Sequence, residues 1–158
     1  MHRIGLISDT HGLLRPEAVA FLRGCDHIIH GGDIDTPEVL DELRAIAPLT
    51  AVRGNVDRGA WAEAVAPAEL VQVGGIFIHV LHDLAELDIE PAAAGVRVVV
   101  SGHSHKPAVA QRDAVLYVNP GSAGPRRFSL PISVGELLVD EDGRVSARTV
   151  ELAVAKKA

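Results

Sequence analysis

Short apolar segments that end in polar, glycine-containing loops recur along this chain of 158 residues. In the first third, apolar segments at 3–8, 27–30 and 49–53 alternate with segments of helical spacing at 16–22 and after Thr36-Pro37. Strands that alternate with helices are typical of parallel β-strands joined by crossover connections. The beginning of the chain therefore predicts an α/β fold with parallel strands.

The later part of the chain predicts antiparallel pairing. Two-residue turns at Gly74-Gly75 and Asp113-Ala114 separate neighbouring apolar runs, which is the pattern of β-hairpins. The paired runs are 70–73 with 76–81, and 108–112 with 115–119.

The remaining segments complete the predicted architecture. We expect a buried strand at 96–101, a short helix around 91–94, and a final strand pair at 132–139 and 144–152. No repeat, low-complexity segment or linker interrupts the sequence, so we predict one domain over residues 1–158. Two mixed β-sheets packed face to face as a sandwich, flanked by helices, would accommodate both halves.

Charge and composition exclude several functions. The formal net charge is -6, and the closest approach to a basic run is Arg126-Arg127. Binding to a nucleic-acid backbone needs a positive stripe, so we expect no large nucleic-acid partner. The single cysteine, Cys25, cannot form an intrachain disulfide. No apolar run is long enough to span a membrane and no signal-peptide pattern is present, so we expect a cytoplasmic protein.

Side chains that can bind metal follow five of the predicted strands. In open α/β sheets, ligands bind at the carboxyl ends of the strands. Two pairs of these side chains, Asp9/His11 and His103/His105, are spaced two residues apart. In extended backbone, residues at this spacing point the same way. Glycines beside these positions would allow sharp turns and close approach of ions. The candidate ligands are Asp9, His11, Asp33, Asn55, His82, His103 and His105.

This donor set combines two carboxylates, one amide oxygen and four imidazoles, without a thiolate. It favours Mn, Fe, Co, Ni or Zn over Ca or Mg and does not distinguish among the five. Seven ligands exceed one tetrahedral site, so two divalent ions that share a carboxylate fit better. Taken singly, each residue has a structural alternative as a cap, a turn residue or a core histidine. His30, close to Asp33, either supports a ligand or is purely structural.

Six short blocks in this order resemble the calcineurin-like metallophosphoesterase family, and especially its small bacterial and archaeal phosphodiesterases. The blocks are SDTHG (8–12), HGGD (30–33), GNVD (54–57), LHD (81–83), GHSH (102–105) and NPGS (119–122).

The resemblance implies a role for each matching residue. One metal would be held by Asp9, His11, Asp33 and His105, and the other by Asp33, Asn55, His82 and His103. Asp33 would bridge the ions, and Asp33, Asn55 and His103 would take part in catalysis. A hydroxide between the metals would attack the phosphorus of a small phosphate ester, most simply a phosphodiester. A phosphomonoesterase and a binding scaffold without catalysis are the alternatives, and a dimer is one option for the oligomeric state.

Two residues depart from the family pattern. Many family members have a histidine after the asparagine, whereas this chain has Val56, which cannot donate a proton to a leaving group. Asp83 stands where glycine is common, and it would either repel an anionic substrate or orient His82. Arg58, Arg126 and Arg127 are candidate phosphate contacts, and solvated surface is the alternative for each.

Overall fold

Two mixed five-stranded sheets form the computed structural model, which describes residues 1–127 and 129–154. In spatial order, the first sheet contains β10 (Val145–Glu151), β9 (Ser133–Val139), β1 (His2–Ile7), β2 (His27–His30) and β3 (Leu49–Ala51). The second contains β4 (Ala68–Val73), β5 (Ile76–Leu81), β6 (Val96–Val100), β8 (Val115–Asn119) and β7 (Ala108–Arg112). This arrangement confirms the predicted sandwich of mixed sheets.

Each sheet combines three parallel strands with two strands that pair antiparallel. In the first sheet β1, β2 and β3 are parallel, and β9 and β10 are antiparallel to their neighbours. In the second sheet β5, β6 and β8 are parallel, whereas β4 and β7 form antiparallel edges. The carboxyl ends of the parallel strands therefore bring their following loops to one edge of each sheet.

The structure describes three α-helices. Two of them, α1 (Pro16–Leu22) and α2 (Pro37–Arg44), connect strands of the first sheet, and the single turn α3 (Ala60–Glu63) lies between β3 and β4, where the chain passes to the second sheet. Both longer helices begin at a proline, whose fixed φ suits the first turn. Thr36 is the N-cap residue of α2, as expected, although its side chain makes no capping hydrogen bond. No helix in the described part of the chain is long and apolar enough to cross a membrane.

Alternate residues of β1 divide between two apolar cores. Ile4 and Leu6 face the second sheet and meet Ile78 and Val98, whereas Ile7 points to the helices and packs with Leu22. This period of two follows from the pleat of the strand, whose successive side chains lie on opposite faces.

The outer face of the second sheet is covered by irregular chain rather than by α-helix. Leu84 belongs to a 3₁₀ turn (Leu84–Glu86), and it packs with Leu87 and Ile89 on residues such as Val99. The predicted helix around 91–94 is wrong, because residues 91–95 form hydrogen-bonded turns before β6. Only a few residues separate Pro91 from Gly95, whose φ is +79°, and such a segment is too short to support a helix.

Most predicted strands agree with the structure to within one or two residues. The third strand is shorter than expected, at Leu49–Ala51, because Arg53 donates its backbone N–H to Ala66 and leaves the sheet. Gly74 and Gly75 both have positive φ, as the tight hairpin turn requires. The predicted single domain runs from residue 1 to residue 158, and residues 155–158 lie outside the described residues. The extent of the domain therefore stays a prediction.

Candidate metal centre

The loops that follow β1, β2, β5 and β6 bring two overlapping groups of metal-binding side chains together. In one group, donor atoms of Asp9, His11 and His105 lie within 4.8 Å of one another. In the other, donor atoms of Asp9, Asp33 and His82 do the same. Asp9 is common to both, and its side chain is fully buried.

Three imidazoles surround the two carboxylates. Asp9 Oδ1 lies 3.4 Å from Nε2 of His105 and 4.0 Å from Nε2 of both His11 and His82. Asp33 Oδ2 lies 3.2 Å from His82 Nε2 and 3.8 Å from His11 Nε2. Asp33 Oδ2 thus approaches a histidine of each group, as Asp9 Oδ1 also does.

Three buried polar atoms in this cluster have no hydrogen-bond partner: Asp9 Oδ1, His11 Nε2 and His105 Nδ1. Buried polar atoms in folded proteins are nearly always paired, so unpaired ones at a shared centre require a reason. Carboxylate oxygens and imidazole nitrogens are good ligands for divalent transition metals. The residues present therefore fit bound cations.

Asn55 presents its side-chain oxygen to the same centre. That oxygen lies 3.0 Å from His82 Nε2 and 3.2 Å from each carboxylate oxygen of Asp33. Rotation of the amide would turn these contacts into N–H donor contacts, and it is the better choice for the protein atoms alone. In the oxygen-inward orientation the amide oxygen lies close to both carboxylate oxygens of Asp33 and to His82 Nε2, which is an acceptor when the ring is neutral, and a cation would satisfy these acceptors.

His103 differs from the other predicted ligands because its side chain is 49% exposed and lies outside both groups. Its ring makes an edge contact with His82, with centroids 5.2 Å apart. Its Nε2 lies 3.9 Å from Asp83 Oδ2, while Asp83 Oδ1 accepts a hydrogen bond from the Ala85 backbone. The carboxylate of Asp83 therefore lies beside His103 at the exposed edge of the cluster, which is called the rim below. The interpretation that Asp83 orients His82 required a contact with His82 instead.

Five of the seven predicted ligands adopt the left-handed backbone conformation. Their φ values are 54° at Asp9, 47° at His11, 58° at Asp33, 73° at His103 and 63° at His105. The assumption that the two pairs converge because their backbone is extended is therefore wrong. Left-handed turns aim these side chains instead, and for residues other than glycine that conformation is strained and clusters at functional sites.

Glycines let the ligand loops approach one another closely. A Cβ atom at Gly54 would collide with Asp33 Oδ1, and one at Gly102 would collide with Ser8 Oγ. The expectation that small residues permit close approach is thus met at these two positions.

The protonation of the Asp33–His82 pair shows how the cluster balances its charge without a cation. Burial raises the pKa of Asp33, but hydrogen bonds from His82 and the Val56 N–H outweigh it and bring the value to about 2. Burial lowers the pKa of His82, but its hydrogen bonds to Asp33 and to the Gly31 carbonyl, together with the negative charges of Asp9 and Asp33, outweigh burial and raise the value to about 9. A cation bound at His82 Nε2 would displace that proton, as metal binding to protonated ligands does.

His82 is held in the tautomer that a ligand needs. Its Nδ1 donates to the Gly31 carbonyl at 2.7 Å, so the neutral ring would present its Nε2 lone pair to Asp33 and the cluster. Burial raises the pKa of Asp9, since ionisation inside the protein is unfavourable. A cation beside Asp9 Oδ1, which has no hydrogen-bond partner, would stabilise the ionised carboxylate.

His30 supports the ligand loops without entering either group. It is fully buried, and burial lowers its pKa to about 3, so it is neutral. Its Nδ1 accepts from the Gly32 N–H, so Nε2 carries the proton and donates to Thr10 Oγ1 at 3.0 Å. Thr10 in turn donates to the Ile34 carbonyl. His30 thus links the turn of Asp9 and His11 to the turn of Asp33.

The NPGS block supports the ligand loops through hydrogen bonds. Asn119 Nδ2 donates to the carbonyl of Gly102, and Ser122 Oγ donates to the backbone oxygen of Asp9. Ser8 Oγ and the His103 N–H both donate to Asp9 Oδ2, so Oδ1 alone faces the histidines. Sequence reasoning left Ser8, Asn119 and Ser122 without a role, although all three lie in the quoted blocks.

Asp57 is the most important supporting residue that sequence reasoning missed. It is buried, and it accepts three backbone N–H bonds at 2.8–2.9 Å, from Ile34, Asp35 and Gly54. It therefore joins the Asp33 turn to the Asn55 turn. The signal was its place in the GNVD block.

We expect Asp57→Ala to lower the free energy of unfolding by about 3 kcal/mol, because bonds to a charged acceptor are strong and buried N–H groups would lose their partner. Ion affinity should fall about 10–100-fold, the usual result of losing a supporting residue. Denaturant unfolding and calorimetric metal titration would measure both. Asp26→Ala is the matched control, since exposed Asp26 accepts a single backbone bond, from Arg3. Equal destabilisation by the two variants would contradict this role.

A protein-family comparison identifies the fold that carries this cluster. The model of the calcineurin-like phosphoesterase superfamily domain matches residues 2–142. The chain belongs to this superfamily. A Methanothermobacter thermautotrophicus protein named "Probable metallophosphoesterase" is 35% identical over 150 residues, which cover 87% of this chain and 86% of that protein. Calcineurin-like phosphoesterases thus include this chain and its archaeal relative.

Solved structures confirm the architecture of this phosphoesterase fold. Vps29 from Chaetomium thermophilum superposes with a TM-score of 0.76 at 22% identity, covering 95% of this chain and 97% of that chain. A structure described as a novel archaeal phosphodiesterase gives a TM-score of 0.74 at 23% identity, covering 94% and 99%. At such identities the likeness concerns the fold alone, so the chemistry must be argued from the cluster.

Proposed function

We propose that this chain is a phosphodiesterase that binds two divalent transition-metal ions at the cluster and hydrolyses small phosphate esters. The observation that carries the proposal is the pair of overlapping donor groups, which share Asp9 and contain three unpaired buried polar atoms. One ion would contact Asp9, His11, Asp33 and His105. The other would contact Asp33, Asn55, His82 and His103. The family resemblance implies that Asp33 lies between the two ions, whereas the donor groups themselves share Asp9.

Two bound divalent ions would supply Lewis-acid stabilisation of the phosphoryl oxygens and an acidified water as nucleophile. The chain's own residues would set the geometry of this reaction. Asp33, held by the Val56 N–H at 3.1 Å, would fix the distance between the two halves of the site. The His103 ring lies at the exposed rim, where it would meet an incoming substrate.

Arg127 is the best candidate for a phosphate contact among the three arginines considered. All three are exposed, but the positive charge of Arg127 lies close enough to His105 to lower its pKa together with burial. A guanidinium near the cluster would attract an anionic ester and hold its oxygens. Arg58 and Arg126 remain candidates on the sequence alone.

We expect two ions per chain after reconstitution with Zn, Mn, Co or Ni, because the donors are too many for one tetrahedral site. Elemental analysis of the dialysed protein would give the ratio. His79→Ala is the control variant, since half-buried His79 lies on β5 outside both donor groups and its loss should leave the ratio unchanged. A plateau at one ion, or none, would refute the two-ion proposal.

A small ester is the expected substrate class, since the net charge is -6 and no basic stripe is present. We expect no binding to single- or double-stranded DNA tighter than about 10⁻⁴ M near physiological salt. Fluorescence anisotropy of labelled oligonucleotides at two salt concentrations would measure it. Tight binding that weakens steeply with salt would indicate a nuclease instead.

A further inference from the structure

A pocket of about 410 Å³ opens on the outer face of the second sheet, next to the metal centre. Its floor is formed by β7 and β8, and the 3₁₀ turn at Leu84 stands on one side. This volume falls within the range of small-molecule sites in proteins, about 300–1,000 Å³. Among the predicted metal ligands, His103 is the one that lines this pocket.

Small side chains on β7 create the space. Ala108 and Ala110 lie on the same face of β7, and their partners on β8 are Asn119 and Tyr117. Elsewhere this face of the sheet is filled by larger residues such as Leu87, which packs on it from the covering segment. The two alanines therefore leave an open floor that Tyr117 borders on one side.

The pocket joins the metal centre directly, because Asp83, Gly102 and His103 line it. Most of its surface is apolar. Its charged groups are the cationic Lys106 and Arg112, and the anionic Asp83 beside His103. The guanidinium of Arg112 lies 4.4 Å from the centre of the Tyr117 ring, so the aromatic wall is held in place. An apolar floor, an aromatic wall and nearby cations together suit an aromatic group attached to an anion.

We infer that this pocket binds the aromatic organic group of a phosphodiester while the phosphate lies at the metal centre. The substrate class is then an aryl or nucleoside phosphodiester, rather than a diester with small alkyl groups only. This inference rests on the proposed function for the position of the phosphate. Its other support is independent of hydrolysis, since it comes from the size, lining and continuity of the pocket.

Two diesters with the same leaving group test the inference in the zinc-reconstituted protein: 4-nitrophenyl phenyl phosphate and methyl 4-nitrophenyl phosphate. We expect kcat/KM to favour the phenyl ester by about tenfold or more, since an apolar pocket discriminates groups by that order. Ala110→Leu fills the floor and should remove most of this preference while the methyl ester reacts as before. Gln111→Leu is the matched control, because Gln111 is the next residue of β7, is exposed and does not line the pocket. A preference that Ala110→Leu leaves unchanged would overturn the inference.

A binding measurement separates failure of this inference from failure of the proposed function. Phenylphosphonate and methylphosphonate can be titrated into zinc-loaded protein while backbone amide resonances are followed by NMR. We expect tighter binding of phenylphosphonate, shifts at Ala108 and Ala110, and loss of that advantage in Ala110→Leu. Tighter binding without hydrolysis of any ester would contradict the proposed function and support the pocket. Equal binding of the two phosphonates would overturn the pocket. A change of sedimentation coefficient in Ala110→Leu would also overturn it, because it would show that this face forms an interface between two copies of the chain.

Discussion

Asp33→Asn is expected to lower kcat/KM for a phosphodiester about a thousandfold in the metal-reconstituted protein. Asp33 would contact both ions, and an amide cannot replace a carboxylate that joins two cations. Loss of several kcal/mol of charge stabilisation corresponds to about that factor in rate. Asparagine also tolerates positive φ, so the variant should keep the local backbone and fold normally. Steady-state kinetics, with bound metal measured on the same samples, would test the expectation.

Asp35→Asn provides a matched control for this substitution. Asp35 is two residues away, is exposed and has a φ of +76°, so the chemical change and the backbone conformation are alike. Its side chain belongs to neither donor group, and activity should change little. His30→Ala tests the supporting role and should cost about 10–100-fold. If His30→Ala were as inactive as Asp33→Asn, the division between ligand and support drawn above would be wrong.

The rate should depend steeply on the leaving group, because Val56 cannot donate a proton and stands where the family resemblance described above leads one to expect a histidine. A positioned general acid contributes about 10²–10⁴-fold by protonating the departing oxygen. Val56 gives only its backbone N–H, and that is bonded to Asp33 Oδ1. A nitrophenolate departs without protonation, whereas an alkoxide needs it. Rates across a series of aryl phosphodiesters should therefore fall sharply as the leaving-group pKa rises.

Kinetics of that series, with chemistry shown to be rate-limiting, would measure the slope of log kcat against leaving-group pKa. Val56→His should recover activity on poor leaving groups if the loop can aim the ring. Val56→Ala is the control, since it changes the side chain without adding an acid. A flat plot would mean that another group protonates the leaving oxygen. His103 would then be the first candidate, because its exposed ring lies at the rim beside Asp83.

The sequence predicted the strands well because their apolar residues alternate with a clear period and glycines mark their turns. Ile4 and Leu6 face one core and Ile7 the other, as the strand period requires. The predicted helix around 91–94 is wrong because composition favours it, while Pro91 and Gly95 leave too few residues for a stable helix. Short elements of this kind depend on packing that a single sequence does not reveal.

Sequence patterns also predicted which residues would meet, but not how they meet. The loops of Asp9, Asp33 and His82 converge because parallel strands end at the same edge of a sheet. The left-handed turns at the ligands could not be inferred, since aspartate and histidine give no signal as strong as glycine. The exposure of His103 and the partner of Asp83 depend on rotamers and loop packing, which the spacing of residues does not encode. Asp57 was overlooked because its three partners are backbone groups, which carry no sequence signature.

The left-handed backbone of the ligand turns has a consequence for how such a chain changes over generations. At each of these positions glycine would relieve a strain of about 1 kcal/mol, and asparagine would relieve part of it. Random substitution in a lineage that no longer needs the side chains would therefore drift toward those residues and gain stability. Aspartate and histidine adopt this conformation more readily than most residues, but folding alone would favour glycine or asparagine over them at these five positions. In a related chain, glycine or asparagine at these positions would mark a scaffold that has exchanged its chemistry for a more relaxed fold.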